Sequence, residues 1–267
     1  MLYKEEIQKK ASALIKQHPE NRVECLGGLS IFEQVLVGYG SADDPLFEKL
    51  KEPGVVADYH LTPKDFLPEA QTVISFFLGF SDRVRTSNRK GRMPSTEWLY
   101  GRIEGQQFIY TFTQLMVEEL ASMGYKAVAP CIHSRYVEIN RISNWSERHI
   151  GYICGLGTFG LSESIITELG SAGRLTSIVI DLEPSHTPRT YSGIYDNCLW
   201  HMKKECGACM SICPPGAILE DGRKDKLLCK GHLDVVREKY PPRYGCGKCQ
   251  TGMRCEDKNP MGVRMAD

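Results

Sequence analysis

Cys198, then Cys206-Gly-Ala-Cys209-Met-Ser-Ile-Cys213-Pro214, then Cys229, Cys246-Gly-Lys-Cys249 and Cys255 account for eight of the eleven cysteines in this 267-residue chain. Each [4Fe-4S] cubane takes four thiolates, so eight suffice for two clusters, and a third cysteine after three residues with a proline behind it is iron-sulfur spacing. Lys203 stands where the first cysteine of that run would fall. Cys198, five residues earlier, is the replacement, because a loop-borne ligand can reach the same iron.

The run matches most of the bacterial ferredoxin motif, in which the cysteine before the proline ligates the other cluster. The ligands therefore interleave. Cys198, Cys206, Cys209 and Cys255 are assigned to one cluster, and Cys213, Cys229, Cys246 and Cys249 to the second. Zinc sites also use paired Cys-x-x-Cys, but rarely with this third cysteine and proline. A disulfide framework belongs to small secreted chains, and no charged-then-apolar leader follows Met1. The expectation is a cytoplasmic, oxygen-sensitive protein of an anaerobe or facultative anaerobe.

Lys plus Arg equals Asp plus Glu, at 33 each, so no net field draws the chain to nucleic acid or an anionic membrane. No apolar run approaches transmembrane length, and no membrane partner is expected. The length and the cysteine-dense tail suggest a main α/β body over residues 1–190 and a small cysteine domain over 191–267.

Along the body, Ile7, Ala11, Leu14 and Ile15 predict an amphipathic helix over residues 2–17. Residues up to about 60, punctuated by Gly27, Gly28, Gly38 and Gly40, give no clear element. Thr72-Val-Ile-Ser-Phe-Phe-Leu-Gly-Phe80 predicts a strand buried on both faces. The basic run Arg83, Arg85, Arg89, Lys90 and Arg92 lacks aromatics and reads as a solvated or anion-contacting loop. Phe108 to Met123 predicts a helix closed by Gly124, and Lys126-Ala-Val-Ala a short strand. Cys25, Cys131 and Cys154 read as small buried hydrophobes, and His149, His186 and His201 as structural histidines.

Gly155-Leu-Gly157-Thr-Phe-Gly160-Leu-Ser162, with Asp181 some twenty residues on, mimics a dinucleotide fingerprint. Gly170 and Gly173 leave only residues 162–169 for the helix that such a fingerprint needs, which argues against it. The glycines imply close backbone approach to a neighbouring strand or a flat cofactor.

Together, Leu67-Pro-Glu-Ala before an apolar strand, Glu147-Arg148 leading into Gly155-Leu-Gly157, the strand ending in Asp181-Leu182, and the cysteine block resemble the epoxyqueuosine reductase and reductive dehalogenase superfamily over about residues 60–260. That resemblance implies a nitroreductase-like α/β domain binding cobalamin base-off, followed by a bacterial-ferredoxin-like domain with two [4Fe-4S] clusters. It places Gly155, Leu156, Gly157, Thr158, Phe159, Gly160, Leu161 and Ser162 near the corrinoid. Cys229 matches the lone cysteine after the first motif. The gap from Cys249 to Cys255 is longer than the family's, and no Cys-Pro ends it.

The family's acidic proton donor lies upstream of the glycine segment. Residues 133–143 here offer Glu138 and no aspartate, so Glu138 and Glu147 are the catalytic candidates. With neither a helical-repeat extension nor an evident basic surface, tRNA is not expected as a partner. The implied function is an iron-sulfur oxidoreductase that passes low-potential electrons, taken from a ferredoxin or flavodoxin, to a corrinoid for reductive chemistry on a small molecule. The alternative is an electron-transfer or corrinoid-handling partner acting on another corrinoid protein, and a weaker one is a flavin- or NAD-linked ferredoxin-type oxidoreductase.

Overall fold

The computed structural model describes residues 2–183 and 186–262; Met1, Pro184, Ser185 and residues 263–267 of the two expected domains lie outside the described residues. In chain order come α1 (Leu2–Gln17), β1 (Arg22–Val23), β2 (Leu29–Ser30), β3 (Phe32–Ser41), α2 (Leu46–Lys49), α3 (Pro63–Phe66) and β4 (Thr72–Phe80). Next are α4 (Asp82–Ser87), α5 (Thr96–Ser122), β5 (Ala127–Val128), β6 (Glu138–Ile139), β7 (Ile142–Ser143), α6 (Glu147–Ile153), β8 (Gly157–Phe159), β9 (Ile165–Thr167) and β10 (Gly173–Ile180). The cysteine-rich part carries α7 (Leu199–Lys203), α8 (Ala208–Ile212) and α9 (Lys226–Lys239).

The expected strand at residues 72–80 is the second of a four-stranded sheet ordered β3-β4-β10-β5, antiparallel throughout. Every residue of β4 is buried, because successive side chains leave the strand on opposite faces and both faces are covered. Ile74, Phe76, Leu78 and Phe80 pack with Ile7, Ala11 and Ile15 of α1 and with Phe108, Phe112, Met116 and Leu120 of α5. Val73 joins Ile153, Cys154 and Trp145, and Phe77 joins Leu156 and Ile165. The mixed helix-sheet architecture expected from the sequence is present.

Two local readings change and a third gains its detail. The stretch with no clear element contains β3, whose Gly38 looks like punctuation. A Cβ there would lie 2.3 Å from the carbonyl oxygen of Cys154, so the glycine lets the end of α6 rest directly on the strand. Residues 162–169 form no helix; β8 and β9 pair as a short hairpin. Cys25 is exposed, its thiol donating to the Tyr100 hydroxyl at 3.3 Å, and so is no core residue.

The basic run is in part helical, as α4, and its side chains are largely exposed, but Arg89 contacts an anion of the chain's own. Arg89 grips the Glu256 carboxylate, which is 2% exposed, through Nε at 3.1 Å and Nη2 at 2.9 Å, and the Gly252 amide donates to the same group. Lys248, fully buried, donates to the carbonyls of Asn88 and Lys90, each at 2.7 Å. Asn88 Nδ2 in turn donates to the Cys246 carbonyl at 3.0 Å. These contacts bind the cysteine-rich part to the body; removing Glu256 would leave the Gly252 amide without its partner, while Arg89, 43% exposed, could still turn to water. Glu256→Ala is therefore expected to cost about 1–2 kcal/mol of stability, the cost of a buried donor left without its partner, with the half-exposed arginine rehydrated. Thermal unfolding of the variant beside the exposed control Arg83→Ala checks this, and equal midpoints would contradict it.

Candidate active site

The eight cysteines gather into two groups by position in the fold. Cys198 precedes α7, Cys206 and Cys209 frame the start of α8, and Cys255 is brought in from the far end of the chain. The Ser171 amide donates to the Cys255 carbonyl at 2.8 Å, tethering that distant loop. These four line a small cavity with Gly160, Leu161 and Ser162. Cys213, Cys229, Cys246 and Cys249 line a second and much larger cavity. All eleven cysteines are free, so no disulfide framework exists.

Each group places thiols close enough to feel one another. Burial pushes Cys209 up to about 12, with Cys255, Cys249, Cys198 and Cys206 adding to it, and burial likewise pushes Cys255 to about 12. Cys246 is raised to about 12 and Cys249 is also raised, chiefly by burial, with Cys213 adding to both. Packing four sulfurs into one apolar place favours protonated thiols unless iron takes the protons' place, and this is the donor chemistry that a cubane needs. No three His, Cys, Asp or Glu side chains among the described residues converge on the space of a single ion. A cubane spreads its thiolates wider. Each cavity lining includes one of the two quartets named above, while Cys209 and Cys249, of different quartets, also lie near each other.

The larger cavity holds about 690 Å³, toward the upper end for a small-molecule site. Its walls include Phe77, Tyr110, Trp145 and Tyr244 beside the four cysteines. Both acidic candidates line it. Glu138 sits on β6, in a hairpin with β7 whose turn residues Asn140 and Arg141 have φ of 52° and 66°. The Tyr59 hydroxyl donates to the Ile142 carbonyl at 3.0 Å, and Arg141 pairs with Asp234 of α9 at 3.6 Å, so the hairpin is held from both sides.

Glu147 opens α6, and both of its carboxylate oxygens are shielded from solvent without a hydrogen bond of normal geometry. Burial raises it to about 7; the approach of the Ser177 hydroxyl and amide only partly offsets this. The carboxyl is therefore about half protonated near pH 7, where an ordinary glutamate is ionised.

The glycine-rich segment is explained largely by its own packing. A Cβ on Gly157 would lie 2.1 Å from the Ile166 carbonyl oxygen, so the glycine permits the β8–β9 pairing. Leu156 and Leu161 are core, Phe159 packs on His149 at 4.8 Å, and Thr158 Oγ1 accepts the Asn197 amide at 2.8 Å. Gly155 lies against Thr187. Of the eight residues, only Ser162 reaches the larger cavity, while Gly160, Leu161 and Ser162 border the smaller one.

His149 is hydrogen-bonded to Ser146 at 2.7 Å and burial lowers it to about 4, while His201 stacks on Tyr195; both are structural, as expected. His186 is exposed. Sequence reasoning missed Arg102 and Arg174 in the larger cavity. A charged residue opening the apolar run of β10 was the available signal.

No family model matches the chain. Curated relatives are epoxyqueuosine reductases, among them those of Bacillus anthracis (34% identical over 225 residues, 75% of this chain and 52% of the relative) and Bacillus cereus (25%, with the same coverage). The chain thus spans about half the length of the curated relatives it matches. In fold it is similar to Bacillus subtilis epoxyqueuosine reductase, captured with its catalytic loop swung out of the active site (TM-score 0.57, 19% identity, 99% of this chain and 68% of that one). It is also similar to a catabolic reductive dehalogenase bound to 3-bromo-4-hydroxybenzoic acid (TM-score 0.52, 16%, 84% and 30%). A further epoxyqueuosine reductase of this fold holds an epoxyqueuosine-modified tRNA stem loop (TM-score 0.55, 19%, 96% and 65%). The expectation that tRNA is not a partner is corrected by these relatives. It leaned on the missing helical-repeat extension and the lack of an evident basic surface, whereas arginines far apart in sequence meet in the cavity.

Proposed function

Because the chain is similar to the epoxyqueuosine reductase and reductive dehalogenase superfamily, we propose that it is a corrinoid-dependent iron-sulfur reductase. In this reading a nitroreductase-like body over 1–190 holds base-off cobalamin in the larger cavity, and a ferredoxin-like part over 191–267 carries two [4Fe-4S] clusters. Cys198, Cys206, Cys209 and Cys255 hold one cluster; Cys213, Cys229, Cys246 and Cys249 hold the other. The observation that carries the proposal is one cavity walled both by a complete cysteine quartet and by a carboxyl raised by burial to about 7, and so still partly protonated near pH 7.

Bound there, the clusters supply single electrons from a ferredoxin or flavodoxin, and the corrinoid supplies a strongly nucleophilic metal centre. The protein's own part is to shield the cavity and to place a proton. Glu147, partly protonated near pH 7, is the proton donor, a role that suits an acid titrating close to the working pH. Glu138, on the hairpin, sits at the cavity wall as a second acid. By analogy with the relatives, the first substrate to test is an epoxide-bearing nucleoside in a tRNA stem loop. Deoxygenating an epoxide takes two electrons and two protons and releases water.

Titrating anaerobically reconstituted protein with hydroxocobalamin tests the cofactor. The visible spectrum is expected to shift to the base-off form, and the colour to stay with the protein on a desalting column. A spectrum that remains that of free base-on cobalamin, with no retention, would overturn the corrinoid reading.

A further inference from the structure

One stretch of the cavity wall is cationic without a counter-charge. Arg174 opens β10 and Arg102 lies on α5, both lining the cavity. Burial pulls the Arg174 guanidinium down to about 9, and the charge on Arg102 adds to the effect, so the two groups repel. Arg174 donates to the neutral Gln106 Oε1. Arg102 donates to the Tyr244 hydroxyl at 3.3 Å and lies over its ring, 5.0 Å from the centroid.

Other arginines nearby are satisfied. Arg243 pairs with Glu104 and Arg141 with Asp234, and Arg148, which donates to the Glu163 carbonyl at 2.6 Å, is exposed to water. Neither Arg102 nor Arg174 has a carboxylate partner among the described residues, although Glu138 and Glu147 line the same cavity. Two like charges drawn from water with neutral partners alone weaken the fold unless an anion joins them.

We infer that Arg102 and Arg174, with Gln106 and Tyr244, form a subsite for a phosphate group of the molecule that occupies this cavity. A guanidinium presents a planar fork of donors, and two such forks together match a tetrahedral oxyanion better than a single carboxylate. The phosphate is either the phosphodiester of a corrinoid tail or a phosphate of the substrate. The inference rests on the proposed function only in taking this cavity as the reaction site.

The test uses the full chain, loaded with clusters, in phosphate-free buffer. Inorganic phosphate is titrated by calorimetry and by thermal unfolding. The wild type is expected to bind phosphate saturably and to melt higher as phosphate rises. Arg174→Gln and Arg102→Gln should each lose about tenfold or more in phosphate affinity. Arg83→Gln, exposed and outside the cavity, should bind as the wild type does. Without phosphate, Arg174→Gln should melt no lower than the wild type, because it removes an unpaired charge; a variant merely damaged in fold would melt lower.

Repeating the titration with hydroxocobalamin bound separates the sources. Loss of phosphate binding assigns the subsite to the corrinoid phosphodiester, and persistence assigns it to the substrate; either supports the subsite. Should the protein retain no corrinoid, the proposed function fails while phosphate binding still reports on the arginines. A wild type without saturable binding up to about 50 mM phosphate, weaker than any affinity useful to a cofactor or substrate, would overturn the inference. Equal affinity in the wild type and both glutamine variants would do the same.

Discussion

Replacing Cys249 with serine should remove about half of the iron from the reconstituted protein, because a hydroxyl is a far poorer iron ligand than a thiolate and each quartet serves one cubane. Cys209→Ser should remove the other half, and the double variant nearly all. Cys25→Ser is the control, since that thiol is exposed and far in sequence from both quartets. Iron and sulfide analysis, with electron paramagnetic resonance of the reduced protein, reads the result. The interleaved grouping makes a sharper demand: Cys255→Ser should behave like Cys209→Ser, and Cys213→Ser like Cys249→Ser. A pairing that followed chain order instead would sink the assignment.

The second large effect belongs to Glu147. If it donates the proton, Glu147→Gln should lower turnover by about 10²- to 10⁴-fold, the range typical of a general acid. Its stability effect has the opposite sign. Burial raises the folded-state value from 4.5 to about 7, so between those pH values the folded protein holds a proton that the unfolded chain has released. Stability from this group is greatest below about pH 4.5 and falls as pH rises to about 7, by roughly 3 kcal/mol in all. Glu147→Gln removes that slope and should be the more stable protein above neutrality. A variant that was slower, but equally pH-dependent in unfolding and no more stable at pH 8, would mean that the carboxylate is not buried as described. One that was more stable yet fully active would remove Glu147 from the chemistry.

The eight cysteines stood out in the sequence because their number and spacing are covalent facts. The strand at residues 72–80 was legible because a β-branched and aromatic run has few other places to go. What stayed hidden depends on partners far along the chain. The helix expected from Phe108 begins at Thr96; Gly101 and Gly105, which weaken its pattern, sit where Cβ atoms would press on Phe80 and Val84 and on Ile31 and Phe32. The basic run reads as a loop until Glu256, 167 residues from Arg89, turns it into a seam. Arg102 and Arg174 are inconspicuous in sequence. Only the register of β10 against the packing of α5 makes them neighbours in one cavity.

In the proposed reaction, electrons entering through the cysteine-bound clusters reach a corrinoid held in the adjoining cavity. Under anaerobic conditions, reduced flavodoxin is added as sole electron source to protein carrying both clusters and cobalamin, and the corrinoid bands are followed in the visible. The account predicts that the bound corrinoid is reduced in the wild type and stays oxidised in Cys249→Ser. A wild type whose clusters bleach while its corrinoid spectrum stays unchanged would contradict it.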